Sequence, residues 1–280
     1  MTIAREIVSA LERLGARTPL PRIRTLHLAP RDADGTRAGE FCALELEDGT
    51  LGLSFVLLGD AIARLRAGSA PERVAGAGAL DVARWYAGGD GADRILGFAA
   101  VNALTAVLYA RAGYAPRPAS DTIGELAPGP SDHVGMIGLF PPLVPRILAT
   151  GARLTVVELN PRHAGDHDGW RVTLDPEALR ACDKVLSTST VLLNDTLDAI
   201  VERAGRAAVL AIVGPGASCL PDPLFARGVT LVGGTWAVDR AGLRDAILAG
   251  APWGDTARKT AIRRADYPGF EVLLGRIAPA

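Results

Sequence analysis

The stretch Asp132–Asp166, DHVGMIGLFPPLVPRILATGARLTVVELNPRHAGD, has the pattern of one strand–helix–strand unit. HVGMIGL is an apolar run of strand length, and RLTVVEL is a second one, rich in the β-branched residues that favour strands. Between them, Pro141 and Pro142 stand where a helix can begin, because the first N–H groups of a helix have no intrahelical partner. LVPRILATG then predicts a short helix that ends at Gly151.

The turn of this unit is a candidate ligand-binding element. Backbone N–H groups from Gly138 to Leu143 would lie at a helix N-terminus, which suits a phosphate or a carboxylate. Glu158 follows Gly138 by 20 residues, the spacing at which an acidic side chain in dinucleotide folds binds a ribose. The glycine pattern is incomplete, because Pro141 stands in place of a third glycine. The alternative is a buried β–α–β core in which the glutamate has no ligand, and the pattern indicates no particular cofactor.

The composition is that of a globular protein. Of the 280 residues 49% are hydrophobic, and the formal net charge is −1. This balance offers no basic surface for nucleic acid or an anionic membrane, and we identify no apolar run long enough to span a bilayer. Cys42, Cys182 and Cys219 are too few and too scattered for a disulfide framework. We therefore expect a soluble cytoplasmic protein without nucleic-acid or membrane partners.

The sequence pattern changes near residue 115. An amphipathic helix, MTIAREIVSALERLG, precedes three candidate strands, two of them joined by the hairpin signal Asp48-Gly49. A helical region follows and ends with the long apolar helix RILGFAAVNALTAVLYARAG. Strands and helices then alternate, which is typical of a parallel sheet with helices on both faces. We predict an α/β protein with a smaller α+β domain over residues 1–115 and a Rossmann-like domain over residues 116–280.

Polar residues collect at the carboxyl ends of the predicted parallel strands, which converge on one crevice in a doubly wound fold. The set consists of Glu158, Ser187 to Thr190, Asn194, and Gly214 to Ser218. Most of these residue types are also common in loops and helix caps, so a structural role alone can explain each one taken by itself. Asn102 lies in the middle of the long apolar helix, where an amide is costly unless it is hydrogen bonded. It pairs with neighbouring backbone or faces an interdomain cavity, and the sequence leaves both open.

A polar loop after Glu158 carries the candidate metal ligands His163, Asp166 and His167. Imidazole and carboxylate suit Zn, Ni or Fe, but the spacing matches no pair of ligands on one helix, and a solvated loop is the alternative. No serine nucleophile elbow, P-loop lysine motif or paired-cysteine site is present. Glu158 could act as a general base only if burial raised its pKa.

Several motifs resemble one known family. GLFPPLVPRI, VVELNP with GD close behind, STSTVLLNDTLDAI, VGPGASCLPDPLF and GVTLVGGTWAVD are similar to the Rossmann-like domain of the putative heavy-metal chelation proteins. GFAAVNAL resembles the helix that leads into that domain. The SFVLL region and the strands before it resemble the family's N-terminal domain, which is similar to the N-terminal domain of enolase. One departure is Thr188-Ser189, where the family pattern has Thr-Gly.

The resemblance implies a cleft between the two domains, where these residues would gather: Asn102, Phe140, Glu158, Thr188, Asn194 and Gly214. On this hypothesis the candidate catalytic residues, which would also contact a polar ligand, are Glu158, Asn194 and Asn102. Its anionic groups, or a cofactor, bind at Gly138, Phe140, Pro141, Glu158, Thr188, Ser189, Gly214 and Pro215.

Three functions stay open at this point. The first is a small-molecule binding protein or enzyme that acts in heavy-metal chelation or metal-chelate metabolism. The second is a biosynthetic enzyme with an adenosine-containing cofactor, S-adenosylmethionine or NAD, whose ribose binds Glu158. The third is a non-catalytic partner subunit. The candidate cofactors are thus a transition metal ion and an adenosine-containing molecule, and a homodimer is expected from the frequency of twofold symmetry among soluble oligomers.

Overall fold

The computed structural model describes residues 1–121, 123 and 125–279. Its helices are α1 (Ile3–Arg17), α2 (Ala61–Ala67), α3 (Ala70–Val74), α4 (Ala79–Ala83), α5 (Trp85–Gly88), α6 (Gly91–Arg111), α7 (Val144–Leu148), α8 (Leu197–Arg203), α9 (Asp222–Phe225), α10 (Arg240–Leu248) and α11 (Phe270–Gly275). Its strands are β1 (Ile23–His27), β2 (Phe41–Leu46), β3 (Leu51–Phe55), β4 (Arg117–Pro118), β5 (His133–Ile137), β6 (Arg153–Val157), β7 (Gly165–His167), β8 (Trp170–Thr173), β9 (Lys184–Thr188), β10 (Val209–Val213), β11 (Leu231–Gly233), β12 (Thr235–Ala237) and β13 (Ala257–Arg263). Short 3₁₀ helices include Pro161–His163, Pro176–Ala181 and Ser189–Leu192.

The N-terminal part contains an antiparallel sheet in the order β1-β2-β3. The predicted hairpin between β2 and β3 is confirmed, with Gly49 at φ +77°, a conformation that glycine adopts without a steric penalty. The Asp48 carboxylate accepts a hydrogen bond from the N–H of Thr50 at 2.9 Å and closes the turn. Helix α1 buries Ile7, Leu11 and its neighbours on one face, as the amphipathic pattern predicts.

Helix α6 lies directly against β3, and Gly52 makes this approach possible. A Cβ atom at Gly52 would lie 2.1 Å from the carbonyl oxygen of Ala99 and 2.4 Å from the backbone nitrogen of Ala103. By length and composition α6 could cross a membrane, which corrects our expectation that no run reaches that length. Its apolar window is 78% buried inside the protein, so in this structure α6 is a core helix.

The second sheet has ten strands in the order β12-β13-β11-β10-β9-β5-β6-β8-β7, with β4 paired to β13. The strands from β8 to β11 are parallel to their neighbours, and their spatial order is 3-2-1-4-5-6 when numbered along the chain. This is the order of dinucleotide-binding folds, in which the strand order reverses between β5 and β9 while the strands stay parallel. A mixed α/β fold with a mostly parallel central sheet is therefore confirmed.

Apolar side chains cover both faces of this sheet. Val134, Met136 and Val156 face one way and pack with Val144 and Ile147 of α7. Neighbouring residues on the same strands face a larger core, which contains Ile137, Val157, Val185 and Ile212 together with residues of α1, α6, α8, α9 and α11. The near-continuous apolar runs in the sequence reflect this burial on two sides.

Contacts between the N-terminal part and the second sheet are extensive. Leu243 and Ile247 of α10 pack against Ala43 and Leu53 of the N-terminal sheet, although α10 follows the parallel strands in the chain. Helix α1 contacts α9 and α11. One buried core thus runs through both parts, and the predicted division between residues 115 and 116 stays a prediction.

Several predicted elements differ from the structure. The motif GVTLVGGTWAVD contains two strands, β11 and β12, separated at Gly234, and the antiparallel strand β13 follows the next helix, which interrupts the expected alternation of parallel strands and helices. The predicted polar loop after Glu158 contains the hairpin β7–β8. Helix α7 begins at Val144, and Pro141 and Pro142 lie in the turn before it.

Candidate functional site

The turn after β5 lies at the point where the strand order of the sheet reverses. Gly138 has φ +76°, and its N–H donates to the carbonyl of Val157 at 2.9 Å. A Cβ atom at Gly138 would lie 3.0 Å from Cγ2 of Thr188, at the end of the neighbouring strand β9. Gly138 and Thr188, two of the predicted cofactor-binding residues, thus lie side by side at the carboxyl edge of the sheet, and their binding of a cofactor stays a prediction.

Glu158 holds this turn through its carboxylate. Oε2 accepts a hydrogen bond from the N–H of Leu139 at 2.9 Å, and Oε1 accepts from the N–H of Leu159 at 2.7 Å and of Asn160 at 3.3 Å. We expected this carboxylate to accept hydrogen bonds from a ribose, and we expected the N–H of Leu139 to donate to a bound anion. In the structure these two groups are hydrogen bonded to each other instead. In this structure Glu158 acts as a clamp on the turn.

The helix that follows does not provide the predicted anion site. Helix α7 has only five residues, and its N-cap residue Leu143 makes no side-chain capping bond. The N–H of Phe140 faces Sδ of Met136 at 3.5 Å, and its ring packs into the apolar core on this face. Pro141 is exposed. The sequence suggested an anion-binding helix N-terminus at this position. The structure instead has a turn with two prolines followed by a helix of five residues.

Thr188, Ser189 and Gly214 continue the edge towards the N-terminal part. The Thr188 side chain caps its own 3₁₀ turn by accepting from the N–H of Thr190 at 3.4 Å. Ser189 is buried, and a Cβ atom at Gly214 would lie 2.4 Å from Ser189 Oγ. Gly214 therefore leaves the space that the serine fills, which accounts for the departure from Thr-Gly. Pro215 follows, and its carbonyl accepts from Ser218 Oγ at 3.4 Å.

Asn194 does not join this group. Its side chain is exposed, and Oδ1 accepts from Oγ1 of Thr196 at 2.7 Å and from the N–H of the same residue at 3.3 Å. These bonds form the turn that leads into α8, so the arrangement is that of a local cap.

The candidate metal ligands lie on the outer hairpin. His163, Asp166 and His167 are exposed, and the His167 ring stacks on Trp170 with a centroid separation of 4.2 Å. Within residues 1–121, 123 and 125–279, no group of three or more His, Cys, Asp or Glu side chains is placed to hold a metal ion. The arrangement gives the predicted metal site no geometric support.

Asn102 is the predicted residue with the most distinctive environment. It is 1% exposed, and its Nδ2 donates to the carbonyls of Leu53 at 2.7 Å and Gly216 at 2.9 Å. Both partners are acceptors, so the orientation of the amide is fixed. Oδ1 is buried and has no hydrogen-bond partner among the described atoms. Both sequence-based interpretations therefore hold, since the amide pairs with backbone and also borders a cleft.

That cleft lies between the N-terminal sheet, α6 and the antiparallel end of the large sheet. The free space within it amounts to about 80 Å³. Its lining consists of Thr50, Leu51, Gly52, Leu53, Asn102, Ala106, Tyr109, Pro116, Ala217, Ser218, Thr235, Trp236, Ala237, Arg240, Leu243, Thr260 and Ile262. Ser218 Oγ fixes one wall, because it donates to the carbonyl of Thr235 at 3.1 Å and accepts from the N–H of the same residue at 3.1 Å.

The sequence did not indicate Thr235, Trp236 or Arg240 as site residues. They reach the cleft because β13 pairs with both β11 and β12 and carries β12 beyond the parallel strands. Trp236, in the quoted motif GVTLVGGTWAVD, was the available signal, since an aromatic residue shortly after a double glycine suits a ligand wall.

The cysteine thiols are buried and poor nucleophiles. Burial raises the pKa of Cys42 and of Cys219 to about 12, and that of Cys182 to about 11. Within the part of the chain that the structure describes, all three are free cysteines. Without a metal beside them, these thiols are expected to stay protonated at neutral pH.

A family model described as "Putative heavy-metal chelation", DUF364, matches residues 121–266, more than half of the chain. The chain belongs to this family.

Two solved structures share the fold. A DUF364 protein of unknown function from Desulfitobacterium hafniense aligns with TM-score 0.69 and 20% identity over 93% of this chain and 98% of its own. A second, from Pyrococcus horikoshii, aligns with TM-score 0.65 and 21% identity over 93% of this chain and 99% of its own. An uncharacterized protein of Methanocaldococcus jannaschii is 38% identical over 72 residues, which is 26% of this chain and 26% of that protein.

Proposed function

We propose that this protein binds a small polar molecule in the cleft beside Asn102, as part of the handling of metals or metal chelates. One observation carries the proposal. Asn102 Oδ1 is a buried acceptor without a hydrogen-bond partner among the described atoms, at the border of a cleft. Native proteins rarely leave such an atom unpaired, and a bound ligand is one group that can supply the donor.

The family description implies a metal, but the side chains of this cleft do not fit a bare metal ion. The described lining contains no His, Cys, Asp or Glu, and Arg240 is its charged side chain. Heavy metals prefer thiolate and imidazole ligands, and a cation next to a guanidinium is repelled. A metal would therefore enter as part of an organic complex, held through the organic part.

The test is a ligand screen by thermal shift, followed by calorimetry, with a variant that fills the cleft. Ala106→Phe on α6 places a ring in the cleft, whereas Ala110→Phe makes the same change one turn further on at an exposed position. Binding that is lost in the first variant and kept in the second supports the proposal. Equal binding by both variants contradicts it.

An adenosine-containing cofactor is the second candidate, favoured by the strand order 3-2-1-4-5-6. The engagement of Glu158 with backbone N–H groups argues against its ribose contact. Native mass spectrometry of protein purified without added ligand decides between the two, because a retained adenosine mass supports only the second candidate.

Three further features are part of the proposal. The N-terminal part, with its antiparallel sheet followed by helices, is proposed to correspond to the enolase N-terminal domain. The protein is proposed to be cytoplasmic and to form a homodimer. Cell fractionation tests the cytoplasmic location, and light scattering tests the homodimer.

A further inference from the structure

We infer that the ligand of the cleft is an organic anion, a carboxylate or phosphate that also carries an N–H or O–H group. This inference rests on the proposed function and names the chemical class of the ligand. It follows from the charge, the hydrogen-bonding groups and the apolar surface that the cleft presents.

Arg240 supplies the charge. It is the first residue of α10, and among the described lining residues it is the charged one. Among the described residues its one hydrogen bond, from Nη1 to the carbonyl of Asp48, is long at 3.3 Å, and it makes no ion pair with a described carboxylate. A guanidinium without a carboxylate partner is suited to bind a carboxylate or phosphate through two parallel hydrogen bonds. The N-terminus of α10 adds a smaller favourable field, although the Asp239 carboxylate already accepts from the N–H of Gly242 at 3.0 Å.

Asn102 supplies a hydrogen-bond acceptor. Its N–H groups are both committed to carbonyls, so the atom left for a ligand is the acceptor Oδ1. An acceptor selects a ligand with an N–H or O–H group. A ligand that had only acceptors would leave Oδ1 unpaired and would lose this contact.

The rest of the lining favours an organic body. Trp236, Leu243 and Ile262 present apolar surface, and Ser218 has its hydroxyl engaged with Thr235. An inorganic ion such as free phosphate would contact Arg240 but would leave the apolar walls uncovered. The combination of a cation, an acceptor and apolar walls is therefore met by a small organic acid or phosphate ester.

The experiment uses pairs of probes on the full chain. L-malate and succinate carry the same charge and differ by one hydroxyl group, while glycerol 3-phosphate tests the phosphate form and Ni²⁺ and Cd²⁺ test bare metals. Calorimetry is performed on the wild type, Arg240→Gln, Arg244→Gln and Ala106→Phe. Arg244 lies on the same helix, outside the cleft lining, and controls for the loss of one positive charge.

We expect malate or glycerol 3-phosphate to bind more tightly than succinate or either metal ion. Arg240→Gln should weaken that binding at least about tenfold, because a charge-assisted hydrogen bond is lost. Arg244→Gln should change it less than about twofold, since solvent screens a charge outside the site. Equal binding of malate and succinate, or binding of the metal ions alone, overturns the inference.

The two proposals fail in different ways. If Ala106→Phe abolishes binding but Arg240→Gln does not, the cleft is the site and the anion inference is wrong. If the probes bind Ala106→Phe as well as the wild type, the cleft itself is not the site. Failure of every anion to bind at millimolar concentration also overturns the inference.

Discussion

The side-chain amide of Asn102 donates a hydrogen bond to the carbonyl of Gly216, 114 residues further along the chain, at 2.9 Å. The same amide nitrogen donates to Leu53, 49 residues earlier, at 2.7 Å. One side chain in the middle of α6 thus joins the N-terminal sheet to the loop that follows β10. Because the cleft lies at this junction, the bonds that hold the two parts together also shape the candidate site.

Replacement of Asn102 by leucine should destabilise the fold. Leucine has a similar size but cannot donate, so two buried carbonyls lose a partner, and we expect a loss of about 2–5 kcal/mol in the free energy of unfolding. Urea unfolding measures this loss. Thr105→Val on the same helix is the control, because Thr105 bonds only to the Val101 carbonyl within α6. Equal stability of the two variants would mean that the amide bonds are not what joins the two parts.

Replacement of Glu158 should also change stability, contrary to the expectation for a residue that serves only a ligand. Its carboxylate accepts three backbone hydrogen bonds, so Glu158→Ala should cost about 1–3 kcal/mol. Glu158→Gln retains one carbonyl acceptor and should cost less. Glu72→Ala, at an exposed glutamate on α3, is the control for chemical denaturation. If the denaturation midpoint of Glu158→Ala equals that of the wild type, the carboxylate does not stabilise the fold, and a role in ligand binding becomes the better explanation.

The position of Glu158 was predictable from the sequence, but its partners were not. The apolar run before it fixes the strand, and the strand end fixes the edge of the sheet. The turn that it clamps contains Pro141 and Pro142, and the helix after this turn has only five residues. The spacing of residues in the sequence predicts the position of Glu158 at the end of a strand. It does not predict which backbone N–H groups will donate hydrogen bonds to the carboxylate.

Non-local pairing explains the other differences. The Asp48-Gly49 turn was predictable because its geometry is local. Strand β13, ARKTAIR, has three basic residues and lacks a clear alternation, yet it pairs with β4, β11 and β12. Those pairings bring Trp236 and Arg240 to the cleft, so a site that depends on them is outside the reach of local patterns.

Gly52 should be intolerant of any side chain. A Cβ atom there would lie 2.1 Å from the Ala99 carbonyl, and relief requires that α6 move away from β3. We expect Gly52→Ala to destabilise the protein by about 3 kcal/mol or more, as for severe overpacking. Gly88→Ala is the matched control, because nothing lies within 4 Å of its added Cβ. Thermal unfolding of the two variants compares them, and equal melting temperatures would contradict the close approach of α6.

Stability should fall in acid partly through Glu125. Burial acts to raise the pKa of this carboxyl, but hydrogen bonds from Arg117, Ser120 and Arg263 outweigh it and lower the pKa from 4.5 to about 2. The unfolded chain takes up this proton at higher pH, so the stabilisation is complete above pH 4.5 and is lost as the pH falls towards 2. The resulting loss in the free energy of unfolding amounts to roughly 3 kcal/mol.

The test compares unfolding free energies of the wild type and Glu125→Gln between neutral pH and pH 2. The variant should lack this part of the acid destabilisation, so the two curves should converge as the pH falls. Glu72→Gln is the control, because it removes an exposed carboxyl that forms no ion pair within the described part of the chain. Parallel curves for the wild type and Glu125→Gln would show that the ion pairs with Arg117 and Arg263 do not contribute.

The thiols of Cys42, Cys182 and Cys219 should resist both thiol reagents and thiophilic metals in the folded protein. All three are buried, and burial raises the pKa of each well above the range in which a free cysteine forms the thiolate. With an aromatic disulfide reagent at pH 8, we expect almost no reaction in native buffer and three reactive thiols per chain after unfolding. Cd²⁺ should likewise protect no thiol in the native state. Rapid reaction of Cys182, whose pKa is raised the least, would show that the segment around Pro176–Ala181 opens. That outcome would return a protein thiolate to consideration as a metal ligand, whereas no reaction and no protection would remove the three thiols from the candidate ligands.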